Sequence, residues 1–389
     1  MEKKFTPNDL SFDSLVVHGN MGHDSHAHAV SFPIYQTATY INTNFGHDID
    51  FSYSRCANPT RDELEKTVAL LEGGKYGFAF SSGLAAETAL FSTLSAGDHV
   101  VIGDDVYGGT YRLSRDVFPR YGVEFTVVDF SYPEKVEAAI KPNTKFLYVE
   151  TPTNPMMKVC DIAAIAEISK KHGTKFVVDN TFMTPVFQKP LSLGADVVIH
   201  SGTKYLAGHN DTMAGFLITS DEEVYTGVAF NRNTEGAALA PFDSWLVLRG
   251  IKTLTLRMKK HEENAIAVAN WLTTCSAVDK VFFVGLDSHP AKAIVDKQCT
   301  GYGGMLSFTL KDASHENVRH ALCDYNMIMF AESLGGVQTL ITYPLTQTHA
   351  SIPKEVRDSI GITENLLRLS VGIEDKEDII SDLKSVLGE

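Results

Sequence analysis

Short apolar runs recur through the first part of the chain, at 76–80, 100–103, 124–128, 146–150, 176–179, 197–200 and 215–219. Runs this brief, closed off by polar or glycine-containing turns, predict buried strands. The stretches at 83–95, 110–120 and 161–172 carry helical patterning instead. Upstream, Leu64, Val68 and Leu71 fall on one helical face, with Pro59 and Thr60 before it and Gly73-Gly74 after it. Repeated strand–helix units predict right-handed crossovers and a mostly parallel sheet of seven strands, covered on both faces. The gap from 201 to 214 is too short for a crossover helix, so one strand is expected to run antiparallel. A long helical region, 242–273, takes its apolar positions from Trp245, Leu248, Ile251, Leu254 and Leu256. Beyond it, about 275–389 alternates short strands and helices. The expected organisation is an N-terminal arm at 1–55, a large α/β domain at 56–250 and a smaller C-terminal α/β domain at 251–389.

A length of 389 residues suffices for two domains sharing a large core. The net charge of −14 argues against a nucleic-acid or anionic-membrane surface, since either partner wants a basic face. The five cysteines, at 56, 160, 275, 299 and 323, show neither zinc-ligand spacing nor a disulfide framework. Met1-Glu2-Lys3-Lys4 is not followed by the apolar run of a signal peptide, and no stretch approaches the roughly 18 apolar residues of a membrane span. A cytoplasmic setting is therefore expected, without membrane or nucleic-acid partners. No metal is expected. His23, His26 and His28 crowd a polar loop without ligand spacing, and His261-Glu262-Glu263-Asn264 lacks the second histidine of a zinc helix. Gly301-Tyr302-Gly303-Gly304 is not a dinucleotide fingerprint, and no Walker pattern occurs.

The candidate chemistry gathers at predicted strand ends. After the run at 197–200, the loop Ser201-Gly202-Thr203-Lys204 sets two hydroxyls before one lysine. Between a buried strand and a glycine-rich bend that ammonium is partly desolvated, which suits a Schiff-base lysine; a snorkelling surface lysine is the plainer reading. Asp179 closes the run at 176–179, where a carboxylate could keep a pyridine nitrogen protonated or simply cap the next helix. Ser81-Ser82-Gly83-Leu84 lies where a strand gives way to a helix, a place suited to an anion. Tyr107 follows another strand end and is flanked by glycines, and Arg368 interrupts an apolar strand, where a charge requires a partner.

The stretch His200-Ser201-Gly202-Thr203-Lys204-Tyr205 through Gly208-His209-Asn210-Asp211, with Asp179 upstream, resembles the signature of the Cys/Met-metabolism enzymes that depend on pyridoxal 5′-phosphate (PLP). The resemblance extends from about His18 to about Asp375. It implies PLP fold type I, the aspartate-aminotransferase-like fold, with PLP as cofactor. It further implies that Lys204 carries the cofactor and takes the Cα proton, that Tyr107 stacks on the ring and serves as an acid for the departing sulfur, and that Asp179 faces the ring nitrogen. Ser82, Gly83, Leu84, Ser201 and Thr203 would cradle the phosphate, and Asn154 would lie near the phenolic oxygen. Tyr53 and Arg55 would reach the phosphate of a neighbouring subunit, the arm would wrap that neighbour, and the homo-oligomer would be a tetramer built as a dimer of dimers. Arg368 would bind the substrate carboxylate with help from Ser333 and Asn154, while Glu332 would face the distal part of the substrate.

The family's reactions differ by small changes. Gly109 stands where methionine γ-lyases usually carry a cysteine, and Ser52 stands where cystathionine-handling members often carry an acid. Asp104 to Thr110 and Ser244 to Leu254 look most like bacterial cystathionine lyases. The expected activity is cleavage of L-cystathionine, and of L-cysteine as a further substrate, to a 2-keto acid, ammonia and a thiol by γ- or β-elimination. The alternative is γ-replacement, as in cystathionine γ-synthase or an O-acylhomoserine sulfhydrylase. A PLP-free scaffold on the same fold is disfavoured by Lys204, Asp179, Tyr107 and Arg368 occurring together.

Overall fold

The computed structural model describes residues 6–22, 24, 26–42, 50–350 and 352–388. His23 and part of the expected arm lie outside the described residues.

Each of the seven apolar runs forms a strand: β1 (Tyr76–Phe80), β2 (His99–Gly103), β3 (Glu124–Val128), β4 (Thr144–Glu150), β5 (Lys175–Asp179), β6 (Val197–Ser201) and β7 (Gly215–Thr219). They form a sheet in the order β1-β7-β6-β5-β4-β2-β3. Strands β2, β3, β4 and β5 pair in parallel, whereas β7 runs antiparallel to both β6 and β1, as the short gap after 201 requires. A second sheet, in the order β10-β11-β12-β9-β8, is built from β8 (Val278–Phe282), β9 (Met305–Leu310), β10 (Met329–Phe330), β11 (Leu340–Thr342) and β12 (Leu366–Ser370).

Two helical expectations are corrected. The stretch 110–120 is not one helix. It passes from Gly108–Arg112 through a wide turn at Leu113–Val117 to a tight one at Phe118–Tyr121, with Pro119 unable to donate a backbone N–H and Gly122 ending it in the left-handed region. The region 242–273 is two helices, Pro241–Ile251 and Leu254–Thr274. The break falls where Thr253 folds back, its amide and hydroxyl both donating to the Gly250 carbonyl, at 3.3 and 3.2 Å.

The chain packs as two compact units, Met1–Ser95 with Asp196–Thr255, and Ala96–Ala195 with Leu256–Glu389. In the first, the central residues of β1, β6 and β7 are shut from solvent. In the second, Val101, Leu147, Val149, Phe176 and Val178 pack with the helix Ile162–His172. A separate core there joins Leu306, Phe308, Leu367 and Leu369 to Ala265 and Leu272. A buried polar group among these strands needs partners. His99 has them: its ring nitrogens lie 2.7 Å from the Thr144 hydroxyl and 2.8 Å from that of Thr126, on the two strands flanking β2. All five cysteines are free, and no helix among the described residues is long and apolar enough to cross a membrane.

Candidate active site

The first unit carries the lysine loop. Strand β6 ends at Ser201, and the chain turns at once: the Lys204 amide donates to Ser201 O at 3.2 Å and the Gly208 amide to Lys204 O at 2.7 Å. Thr203 closes the base of this loop, its hydroxyl donating to Ala214 O at 3.2 Å and accepting from Ala214 N at 3.0 Å. Buried Tyr205 and Leu206 follow, leaving Lys204 half-buried. That environment weakens the snorkelling reading, which needs a side chain free to run to solvent.

Against this loop lies the start of the helix Gly83–Phe91. Ser82 caps it by accepting from Ala85 N at 3.1 Å. By helical geometry the Gly83 and Leu84 N–H groups have no acceptor within the helix and carry its positive end. The approach leaves no room for side chains. A Cβ at Gly83 would lie 3.2 Å from both Cα and Cβ of Ser201, and one at Gly215 would lie 1.9 Å from Ser82 O. Two spare amides, hydroxyls at 82 and 201 and a helix N-terminus form a cradle whose chemistry fits a phosphate. Tyr53 and Arg55 are exposed. The guanidinium sits 5.4 Å from the Tyr53 ring centroid and donates to the Asn233 carbonyl and, at 3.3 Å, to Asn233 Oδ1.

The second unit carries residues at the carboxyl ends of parallel strands, where ligands bind in open sheets. Asp179 ends β5, buried, and accepts from Thr181 N at 2.9 Å. It is no helix cap, since the next helix begins after Met183. Its register partner on β4 is Glu150. Glu150 Oε2 accepts the Tyr107 amide at 2.9 Å, so one buried carboxylate connects the tyrosine turn to the Asp179 strand end. Asn154, Ser333 and Arg368 meet directly. Arg368, 1% exposed, donates to Asn154 Oδ1 at 2.9 Å, Ser333 O at 2.8 Å and Thr342 Oγ1 at 3.1 Å. These three oxygens, an amide, a carbonyl and a hydroxyl, give the buried charge the company it requires. Ser333 holds a left-handed backbone at φ 87°, rare for a residue with a side chain and a mark of functional turns. Glu332 beside it is exposed.

Several supporting residues escape a reading of the sequence. Buried Arg61 donates to Ser54 O at 2.7 Å and Arg55 O at 3.4 Å, pinning the turn that presents Tyr53 and Arg55. His200 Nε2 meets Glu72 Oε1 at 2.5 Å with both side chains buried, tying β6 to the helix Pro59–Glu72. Asp105 and His349 flank the Asn154 turn. An Arg61–Glu65 pair at i,i+4 was a local signal for the first of these; the others depend on contacts distant in sequence.

The family model for Cys/Met metabolism PLP-dependent enzymes matches residues 13–388. The chain belongs to that family. The enzyme's cofactor is accordingly pyridoxal 5′-phosphate, and its fold is PLP fold type I. It is similar to the cystathionine beta-lyase of Lactococcus lactis subsp. cremoris (strain MG1363), with 49% identity over 97% of this chain and 99% of that protein. It is nearly as similar to the cystathionine gamma-synthase of Haemophilus influenzae, with 47% identity over 96% of this chain and 96% of that protein. The crystal structure of cystathionine gamma-lyase from Lactobacillus plantarum complexed with L-serine superposes on the enzyme with a TM-score of 0.94 at 41% identity, covering 97% of this chain and 99% of that one.

Burial sets the protonation of two groups around Asn154. It pushes the His349 imidazole down to about 3, with the Arg368 charge acting in the same direction, and pushes the Asp105 carboxyl up to about 6. For His349 the sign follows from linkage. Above the ordinary value of 6.5 the ring is neutral in both folded and unfolded chains; below it only the unfolded chain takes the proton, so stability falls as pH drops toward 3. Between pH 6.5 and 5 this one group is expected to cost about 2 kcal/mol. His349→Gln should therefore lose less stability than the parent over that interval in denaturant titrations; equal losses would show that the imidazole is not held neutral.

Proposed function

We propose that the enzyme, a PLP-dependent carbon–sulfur lyase, cleaves L-cystathionine, with L-cysteine as a further substrate, to a 2-keto acid, ammonia and a thiol. The observation that supports this substrate is the pairing of a buried carboxylate grip with an exposed acid beside it. Arg368 is held by Asn154 and the Ser333 carbonyl, and Glu332 projects from the next residue. A substrate with an α-carboxylate at one end and an ammonium at the other suits such a pair.

In this reading the Gly83 and Leu84 amides and the Ser82 and Ser201 hydroxyls would hold the phosphate, while Thr203, whose hydroxyl is engaged with Ala214, fixes the loop beside it. The Lys204 amine would hold the cofactor and move the substrate Cα proton, Asp179 would hold a proton at the ring nitrogen, and the Tyr107 hydroxyl would supply a proton to the departing sulfur. PLP, when bound, supplies an electron sink for the charge that develops at Cα. Tyr53 and Arg55 of one protomer serve the phosphate of its neighbour within a cytoplasmic homotetramer. The arm 1–55 reaches that neighbour, residues 56–250 provide the cofactor layer, and residues 251–389 supply the carboxylate grip. Light scattering should give four copies per particle; a monomer with full activity would remove Tyr53 and Arg55 from the scheme.

The deciding experiment gives the PLP-loaded protein cystathionine and identifies the products. Pyruvate with homocysteine means cleavage at Cβ, and 2-oxobutyrate with cysteine means cleavage at Cγ. If neither forms, the lyase reading fails, and an O-acylhomoserine supplied with a thiol tests γ-replacement. Glu332→Ala is expected to raise KM for cystathionine about tenfold while leaving that for cysteine, which has no distal ammonium, nearly unchanged. Equal effects on both substrates would remove Glu332 from distal recognition.

A further inference from the structure

The turn Thr153–Met156 carries Asn154, and two side chains from distant segments grip it. From the tyrosine side, Asp105 Oδ2 accepts the Thr153 hydroxyl and, at 3.3 Å, the Met156 amide. The Thr153 hydroxyl in turn accepts the Lys158 amide at 2.9 Å, closing the turn. From the other side, His349 Nε2 lies 3.0 Å from the Asn154 carbonyl, and His349 Nδ1 lies 2.7 Å from the Thr348 hydroxyl. A neutral ring satisfies both if Nε2–H donates to Asn154 O and Nδ1 accepts from Thr348. The next contact outward is Arg368 to Asn154 Oδ1 at 2.9 Å. The segment bearing His349 also abuts the tyrosine turn, because a Cβ at Gly108 would lie 2.1 Å from Thr348 O.

We infer that Asp105 and His349 are positioning residues that clamp the Thr153–Met156 turn and thereby aim the Asn154 amide at Arg368, fixing the guanidinium for a substrate carboxylate. Both side chains are buried, at 1% and 0% exposure, so neither touches substrate. An amide oxygen on a floating turn would let the guanidinium swing among its remaining acceptors, and bidentate recognition is sensitive to such misalignment. The inference rests on the proposed role of Arg368 and Asn154 in binding that carboxylate.

The test compares L-alanine, which has no leaving group, with ethylamine, which lacks the carboxylate. Both are titrated calorimetrically into the PLP-loaded enzyme, so their affinity ratio reports the carboxylate contribution without turnover. Asp105→Ala and His349→Asn, whose shorter amide falls short of the Asn154 carbonyl, are expected to lower that ratio about tenfold. In turnover they should raise KM with kcat within about twofold. Asp105→Asn and His349→Gln keep the acceptor and the donor respectively, and should restore the ratio. Arg368→Lys serves as the reference and should lower it at least as far. If Arg368→Lys lowers the ratio while the Asp105 and His349 variants do not, the clamp is overturned and the carboxylate reading stands. If Arg368→Lys leaves it unchanged, the carboxylate reading itself falls, and the clamp with it. Equal weakening toward both ligands, unrescued by Asn or Gln, would reduce both residues to general packing and overturn the inference.

Discussion

Lys204→Ala is expected to reduce turnover by a factor on the order of 10⁴ while leaving the fold intact. The side chain is half-buried on a loop whose shape depends on other groups. The Thr203 hydroxyl holds Ala214 in both directions, and backbone bonds run from Lys204 to Ser201 and from Gly208 to Lys204. In the proposed scheme, removing the amine takes away the covalent attachment point and the Cα base together, while these bonds keep the turn fastened. Circular dichroism should match the parent, the yellow colour of the lysine-bound cofactor should be lost, and borohydride should no longer fix the cofactor to the chain. Substantial remaining activity would sink the assignment.

Gly215→Ala is expected to be the most damaging single methyl addition near the proposed phosphate cradle. The new Cβ would lie 1.9 Å from Ser82 O and 2.6 Å from Gly83 N, both backbone atoms that no rotamer change can move. Gly215 is also locked on both sides, opposite Phe80 on β1 and Ser201 on β6. Relief thus requires the helix start at Gly83 to lift away from the sheet, opening the cradle. A cost of about 3 kcal/mol in stability is expected, near the upper end for overpacking. More than tenfold weaker retention of the cofactor through dialysis is expected alongside it. Normal stability and retention would mean that the two spare amides do not form the phosphate seat.

The sheet and the lysine loop were legible in the sequence because both are written locally. A strand buried on both faces is a short apolar run, as in β2 and β7, whereas β3, at the sheet edge, is apolar enough to be read as a strand yet stays partly exposed. Lys204 and Asp179 stand at the ends of two such runs. Where a turn interrupts helical patterning the reading failed: Lys252 and Thr253 are compatible with a helix, and only the fold-back onto Gly250 ends it. The supports of the site were less legible still, because their partners are far away along the chain. His200 is 128 residues from Glu72 and His349 is 195 residues from Asn154. Arg368 was recognisable as a buried charge needing company, but nothing local showed that the company would be an amide, a carbonyl and a hydroxyl.

The exposed Glu332, one residue before a strained Ser333 that is bonded to the buried arginine, divides labour within the catalyst. The arginine is embedded in an interlocked interior, where replacement disturbs several neighbours at once. In the proposed scheme, discrimination among sulfur amino acids falls to an exposed position that mutation can alter almost freely. Evolution can thus retune such a catalyst's diet at little risk to its machinery. Proteins named for different reactions, a beta-lyase and a gamma-synthase, stand at 49% and 47% identity to this one chain, as that separation would produce.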